Sequence, residues 1–179
     1  MNIFIQLLTY FRIIAGPIIF LLILISQSYG IALSIFLLAG ASDYWDGYLA
    51  RKYSLTSVLG AVIDPIADKI LITFTILALA LNFDSIYLAF MGGLILAREF
   101  WVAALRDLNA RNNQAHITKV TLLAKIKTAI QFCALGAYML GGFLGNTLIL
   151  FISDFVLLLA MLITIITGIQ YTKITFNKR

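Results

Sequence analysis

Four aspartates could do chemistry together: Asp43, Asp46, Asp64 and Asp68, half of the eight acidic residues in the chain. Asp43 and Asp46 are three apart, and Asp64 and Asp68 are four apart. Each spacing puts its pair on one face of a helix. Both pairs lie in strongly apolar surroundings, where an ionised carboxylate costs roughly 2.5–3.5 kcal/mol near the bilayer centre. Such groups persist where they face a polar cavity and have partners. Four ionised carboxylates gathered at one place need cations, and two divalent ions balance them in formal charge. All-oxygen ligation selects the hard ions Mg²⁺, Mn²⁺ or Ca²⁺. A pair of these is suited to gripping a pyrophosphate or transferring a phosphoryl group. The plainer alternative is a buried network with Arg51 and Lys69, but two bases do not neutralise four acids.

The residues around the aspartates fit a phosphate ligand. Gly47 removes a side chain directly after Asp46, Gly60 leaves room for a flat or bulky group, and Arg51 can hold a phosphate in bidentate fashion. Further along, Arg98, Arg106, Lys125 and Lys127 are candidates for a second anionic group. Arg98 is the most telling, because an arginine inside an apolar run marks function. Its plainer reading is a pair with Glu99 or with an aspartate of the preceding run, and Lys125 and Lys127 read equally well as anchors at the membrane surface. His116 reads as a surface residue in a polar loop, Cys133 as a small buried hydrophobe. Trp45 and Trp101 read as interface anchors.

The elements that must position these groups follow from composition. Of 179 residues, 62% are apolar and 12% charged, and the mean hydropathy is +1.01. Ordinary soluble domains are about 45–50% apolar and about 25% charged. A soluble domain, a disordered chain and a coiled coil are excluded, and a single cysteine forbids an internal disulfide. Six apolar runs approach the roughly 20 residues that a span needs: 13–28, 31–49, 58–81, 86–105, 123–144 and 147–172. Before them, Ile3, Phe4, Leu7, Leu8 and Phe11 recur at helical spacing. The predicted fold is all-α: a polytopic membrane protein of six transmembrane helices preceded by an amphipathic interfacial helix. Residues 1–12 form the juxtamembrane helix, 13–172 one membrane domain and 173–179 a tail. The sixth run is expected to contribute hydrophobicity alone.

Orientation follows from the bases. Arg12, Arg51, Lys52, Arg106, Arg111, Lys119, Lys125, Lys127, Lys173, Lys178 and Arg179 share one set of ends, while the connections at 29–30, 82–85 and 145–146 carry none. The positive-inside rule then puts both termini in the cytosol. The net charge of +5 reads as attraction to anionic lipid rather than to nucleic acid. The first run lacks a small-residue cleavage site and is expected to stay as a span. The hairpin of the second and third runs brings the four aspartates to similar depth near the cytosolic side, Asp43 lying about 12 Å before Arg51.

Together the residues spell D-x-x-D-G-x-x-A-R-x8-G-x3-D-x3-D, from Asp43, Asp46, Gly47, Ala50, Arg51, Gly60, Asp64 and Asp68. This resembles the signature of the CDP-alcohol phosphatidyltransferase family at every fixed position. Segments 7–17, 42–52, 64–69, 98–106 and 125–131 look like the members that use glycerol 3-phosphate as acceptor. The resemblance implies an enzyme of the cell inner membrane, a homodimer, acting on CDP-diacylglycerol and glycerol 3-phosphate with two divalent cations, Mg²⁺ or Mn²⁺. It implies that Asp43, Asp46, Asp64 and Asp68 ligate metal, with Asp68 also the general base. It further implies CDP contacts from Asp43, Gly47, Arg51 and Gly60, and acceptor-phosphate contacts from Arg98, Arg106, Lys125 and Lys127. Two departures lie near the acceptor side: Ala124, where such members often have glycine, and the Asn-rich stretch 109–114. Inositol phosphate, serine or a lipid glycerol headgroup are alternative acceptors under the same signature. A cation transporter is the alternative of another class, disfavoured because the acids cluster towards one side and no inverted repeat is visible.

Overall fold

A computed structural model of the chain describes residues 3–52, 58–112 and 122–177, whose regular structure is all helix. Six helices follow one another: α1 (Ile3–Leu24), α2 (Tyr29–Lys52), α3 (Val58–Asn82), α4 (Ile86–Arg111), α5 (Leu122–Leu144) and α6 (Thr147–Phe176). α1 packs on α2 and α3, and α6 packs on α4 and α5; α2 against α5 and α3 against α4 join the two halves. One apolar core runs through the bundle, drawing Ile19 and Ile23 from α1, Phe36 from α2, Leu79 from α3, Ile95 from α4, Met139 from α5 and Leu157 from α6. Phe36 and Phe132 stack at 4.0 Å across the α2–α5 seam.

Large apolar residues also cover the outside. Leu21, Phe90, Phe151 and Ile166 are each more than half exposed. Water does not tolerate such a surface over a whole bundle, and lipid does. By length and composition, three of the helices can cross a membrane, with spans at Leu7–Leu24, Ile86–Arg111 and Thr147–Phe176.

Several boundaries differ from the sequence-based expectation. The amphipathic segment is not a separate element, because α1 runs unbroken from Ile3 to Leu24 through Arg12. The side chain of Arg12 is fully buried against other helices, so nothing there favours a turn onto the surface. α4 and α6 also run past their apolar stretches, to Arg111 and Phe176. Their polar ends satisfy each other: Asn109 Nδ2 donates to Thr175 Oγ1 at 2.9 Å, and both residues are buried.

At the end without bases, the short connections are tied by their own polar groups. Gln27 Nε2 donates to Asn82 Oδ1 at 2.7 Å, and Asn82 Nδ2 donates to the Tyr29 hydroxyl. Asn146 caps α6 by accepting from the amides of Leu148 and Ile149, with Gly145 before it at φ +61°. This clasp fixes the ends of the helices whose other ends carry the site.

Candidate active site

The aspartates are assembled by α1, α2 and α3. Thr9 and Arg12 are three residues apart on α1 and share the face turned to α3. Arg12 Nη1 lies 2.5 Å from Asp43 Oδ1 and 2.5 Å from Asp68 Oδ1, and its Nη2 lies 3.3 Å from Asp64 Oδ1. Thr9 Oγ1 donates to the same Asp64 oxygen at 2.7 Å. Three of the four aspartates therefore converge, where the hairpin reading expected all four. Asp46, Gly47 and Arg51 lie on α2, but their side chains, like residues 53–57 and His116, fall outside the described set.

Burial is divided sharply within this cluster. The Arg12 side chain is 1% exposed, whereas those of Asp43, Asp64 and Asp68 are 53%, 38% and 48% exposed. The arginine approaches from inside the bundle and the carboxylates open to the outside. α1 can come this close because of Gly16, one turn beyond Arg12. A Cβ there would sit 3.2 Å from Ile70 O and Leu71 Cα, both rigid backbone of α3. The reading of Arg12 as a surface flank is thus corrected: it is the centre of the carboxylate cluster.

The donor set, oxygen only and accessible from outside the bundle, fits a hard divalent cation by its chemistry. Among the described residues no group of three acidic, His or Cys side chains is set as a finished coordination shell. The carboxylates are instead arranged around the guanidinium. Lys69 does not pair with them; it lies 5.9 Å from the Phe100 ring centroid.

Beside Asp68 opens a cavity of about 390 Å³ between α3, α4 and α5. Asp68 and Lys69 enter it from α3, Arg98, Glu99 and Arg106 from α4, and Lys127 from α5. Four bases against two acids leave a surplus of two positive charges on its wall. Glu99 organises them, accepting from Arg98 Nη1 at 3.2 Å and from Lys127 Nζ. The plainer reading of Arg98, a pair with Glu99, is therefore present in the structure, and the same residue also faces the cavity. Lys127 is buried and lines the wall, whereas Lys125 is exposed and does not. Two residues along a helix turn a side chain by about 200°, so these two lysines leave opposite sides of α5 and only Lys127 faces the cavity.

α6 is more than an apolar span, which corrects the expectation for the sixth run. Its Thr167 Oγ1 accepts from Arg98 Nη2 at 2.7 Å. The Tyr171 hydroxyl lies 3.4 Å from Arg106 Nη2, and its ring stands 5.8 Å and 5.3 Å from the Arg98 and Arg106 guanidinium carbons. Gly168 makes the room, since a Cβ there would meet Arg98 Cγ at 2.9 Å. Thr167, Tyr171 and Thr175 recur every four residues, a polar stripe on one face of α6 that was visible in the sequence. Trp101 joins this seam, its indole donating to Thr172 Oγ1 at 2.9 Å. Cys133 is exposed, not the buried hydrophobe expected.

An all-helical bundle with membrane-crossing helices, an aspartate cluster and a basic cavity beside it defines a class of membrane protein suited to anionic ligands. Residues 4–169 match the family described as CDP-alcohol phosphatidyltransferase, and the chain belongs to that family. It is 39% identical over 169 residues to a Rickettsia bellii protein named CDP-diacylglycerol–glycerol-3-phosphate 3-phosphatidyltransferase, covering 93% of this chain and 91% of that one. A Rickettsia felis protein of the same name is 40% identical over 171 residues, with 93% and 91% covered. One from Escherichia coli K12, also so named, is 31% identical over 131 residues, with 72% of each chain covered.

Proposed function

We propose that this chain is an integral-membrane transferase of phospholipid biosynthesis. It moves the phosphatidyl group from CDP-diacylglycerol to sn-glycerol 3-phosphate, forming phosphatidylglycerophosphate and CMP. The observation that carries the reading is the cavity joining Asp68 to Arg98, Arg106 and Lys127. Its surplus of two positive charges suits a dianionic phosphate monoester and suits serine, which has no net charge, poorly. The name shared by the relatives supports the same substrates.

In this reading Asp43, Asp46, Asp64 and Asp68 hold two divalent cations, Mg²⁺ or Mn²⁺, which when bound supply charge neutralisation at the reacting phosphoryl group and the leaving CMP. Asp43, Gly47, Arg51 and Gly60 contact the CDP portion. Arg98, Arg106 and Lys127 hold the acceptor phosphate and so present its hydroxyl towards Asp68. A free hydroxyl is a poor nucleophile at neutral pH, and Asp68 takes its proton as attack proceeds. The hydroxyl oxygen bonds to the phosphorus bearing the diacylglycerol. The bond from that phosphorus to the CMP oxygen breaks, and CMP leaves with the electron pair. No covalent enzyme intermediate is needed.

The helices form six spans in the inner membrane as a homodimer, with both termini and the site towards the cytosol, where the soluble acceptor and CMP reside. The test is CMP release by the purified protein from CDP-diacylglycerol, with one acceptor at a time and with Mg²⁺, Mn²⁺ or a chelator. Release is expected with glycerol 3-phosphate and metal. Equal release with serine or inositol phosphate overturns the acceptor assignment, and full activity in chelator overturns the metal assignment.

A further inference from the structure

We infer that Arg12 is the resident countercharge of the aspartate cluster, competing with the divalent cations for the same carboxylate oxygens and thereby setting how tightly they bind. The inference rests on the proposed metal role of these aspartates. One guanidinium meets Oδ1 of Asp43, Asp64 and Asp68, at 2.5, 3.3 and 2.5 Å. It reaches them from the buried side, while each carboxylate stays between a third and just over a half exposed. A cation arriving from water meets the open side of oxygens whose charge is already partly neutralised.

Two physical consequences follow. Without metal, the three carboxylates repel one another, and Arg12 is what lets α1, α2 and α3 stay packed around them. With metal, a guanidinium and a divalent cation share ligands and repel each other, so some metal affinity is lost to keep the empty site folded. Thr9 supports the arrangement without carrying charge, donating to Asp64 Oδ1 at 2.7 Å from the same face of α1. A residue that only braced the site would act differently: its loss would loosen the carboxylates and weaken metal binding.

The experiment titrates Mn²⁺ alone into the purified full-length protein in detergent, reading free Mn²⁺ by electron paramagnetic resonance and thermal unfolding in parallel. Arg12→Gln is expected to bind Mn²⁺ about tenfold or more tightly than the unaltered protein. Its unfolding temperature falls without metal, and Mn²⁺ raises that temperature more than it does for the unaltered protein. Arg12→Lys keeps a charge but not the fork that spans three carboxylates, and its affinity falls between the two. It serves as the decisive variant should Arg12→Gln not fold. Unchanged or weaker Mn²⁺ binding in the variants, with clear binding by the unaltered protein, overturns the role of Arg12 alone. No binding by any of the three removes the metal reading as well.

Discussion

Lys125 and Lys127 are two residues apart on α5, carry the same charge, and should behave oppositely. Lys127 is buried, bonded to Glu99 and on the cavity wall, while Lys125 is exposed and outside it. A charge-assisted contact to a phosphate is worth roughly 1.5–3 kcal/mol. Removing it in Lys127→Met therefore raises KM for glycerol 3-phosphate by about 10- to 150-fold. The same change leaves Glu99 with Arg98 alone, and breaking a buried pair costs up to about 3–5 kcal/mol where no water enters. The open cavity lets water solvate Glu99, so the loss of stability falls below that range. Lys125→Met removes an exposed charge, with an effect within about 0.5 kcal/mol on either quantity. The assay is CMP release at saturating CDP-diacylglycerol with glycerol 3-phosphate varied, run beside thermal unfolding of each variant. Equal effects of the two substitutions on KM would refute the assignment of the cavity to the acceptor.

Three other outcomes follow from the geometry. Asp68→Asn keeps the side-chain shape but cannot take a proton, so turnover falls by about 10²–10⁴-fold with CDP-diacylglycerol binding retained; equal loss of binding and rate, by equilibrium binding and initial rates, counts against the base role. Gly16→Val forces side-chain atoms onto the α3 backbone, where a Cβ alone would sit at 3.2 Å, and costs about 1–3 kcal/mol, measured as a lowered unfolding temperature. Tyr171→Phe keeps the ring beside Arg98 and Arg106 and changes KM for the acceptor by less than about threefold, whereas Tyr171→Ala, which takes the ring away from both guanidiniums while Arg98 keeps Thr167 and Glu99, changes it by about tenfold or more in the same titration.

Much of this molecule was legible in one dimension. Helices follow from apolar runs long enough to cross a bilayer, and their order and short connections leave few ways to pack. The aspartate spacing placed two pairs on two helix faces, and a hairpin of known rise brought three of the carboxylates together. Local periodicity carries that much, because 3.6 residues per turn is a property of every helix.

What the tertiary structure alone decided is which charge meets which. Arg12 read as a basic flank of the membrane, because a base at the end of an apolar run is usually that. Only the close approach of α1 to α3 at Gly16 turned it onto the aspartates. Lys127 could not be told from Lys125 until α5 was rotated against α3 and α4. The α6 stripe of Thr167, Tyr171 and Thr175 had no meaning until Arg98, Arg106 and Asn109 lay opposite it. Pairings between helices far apart in sequence depend on rotation about each axis and on depth, and those are set by packing, which no single run of residues encodes.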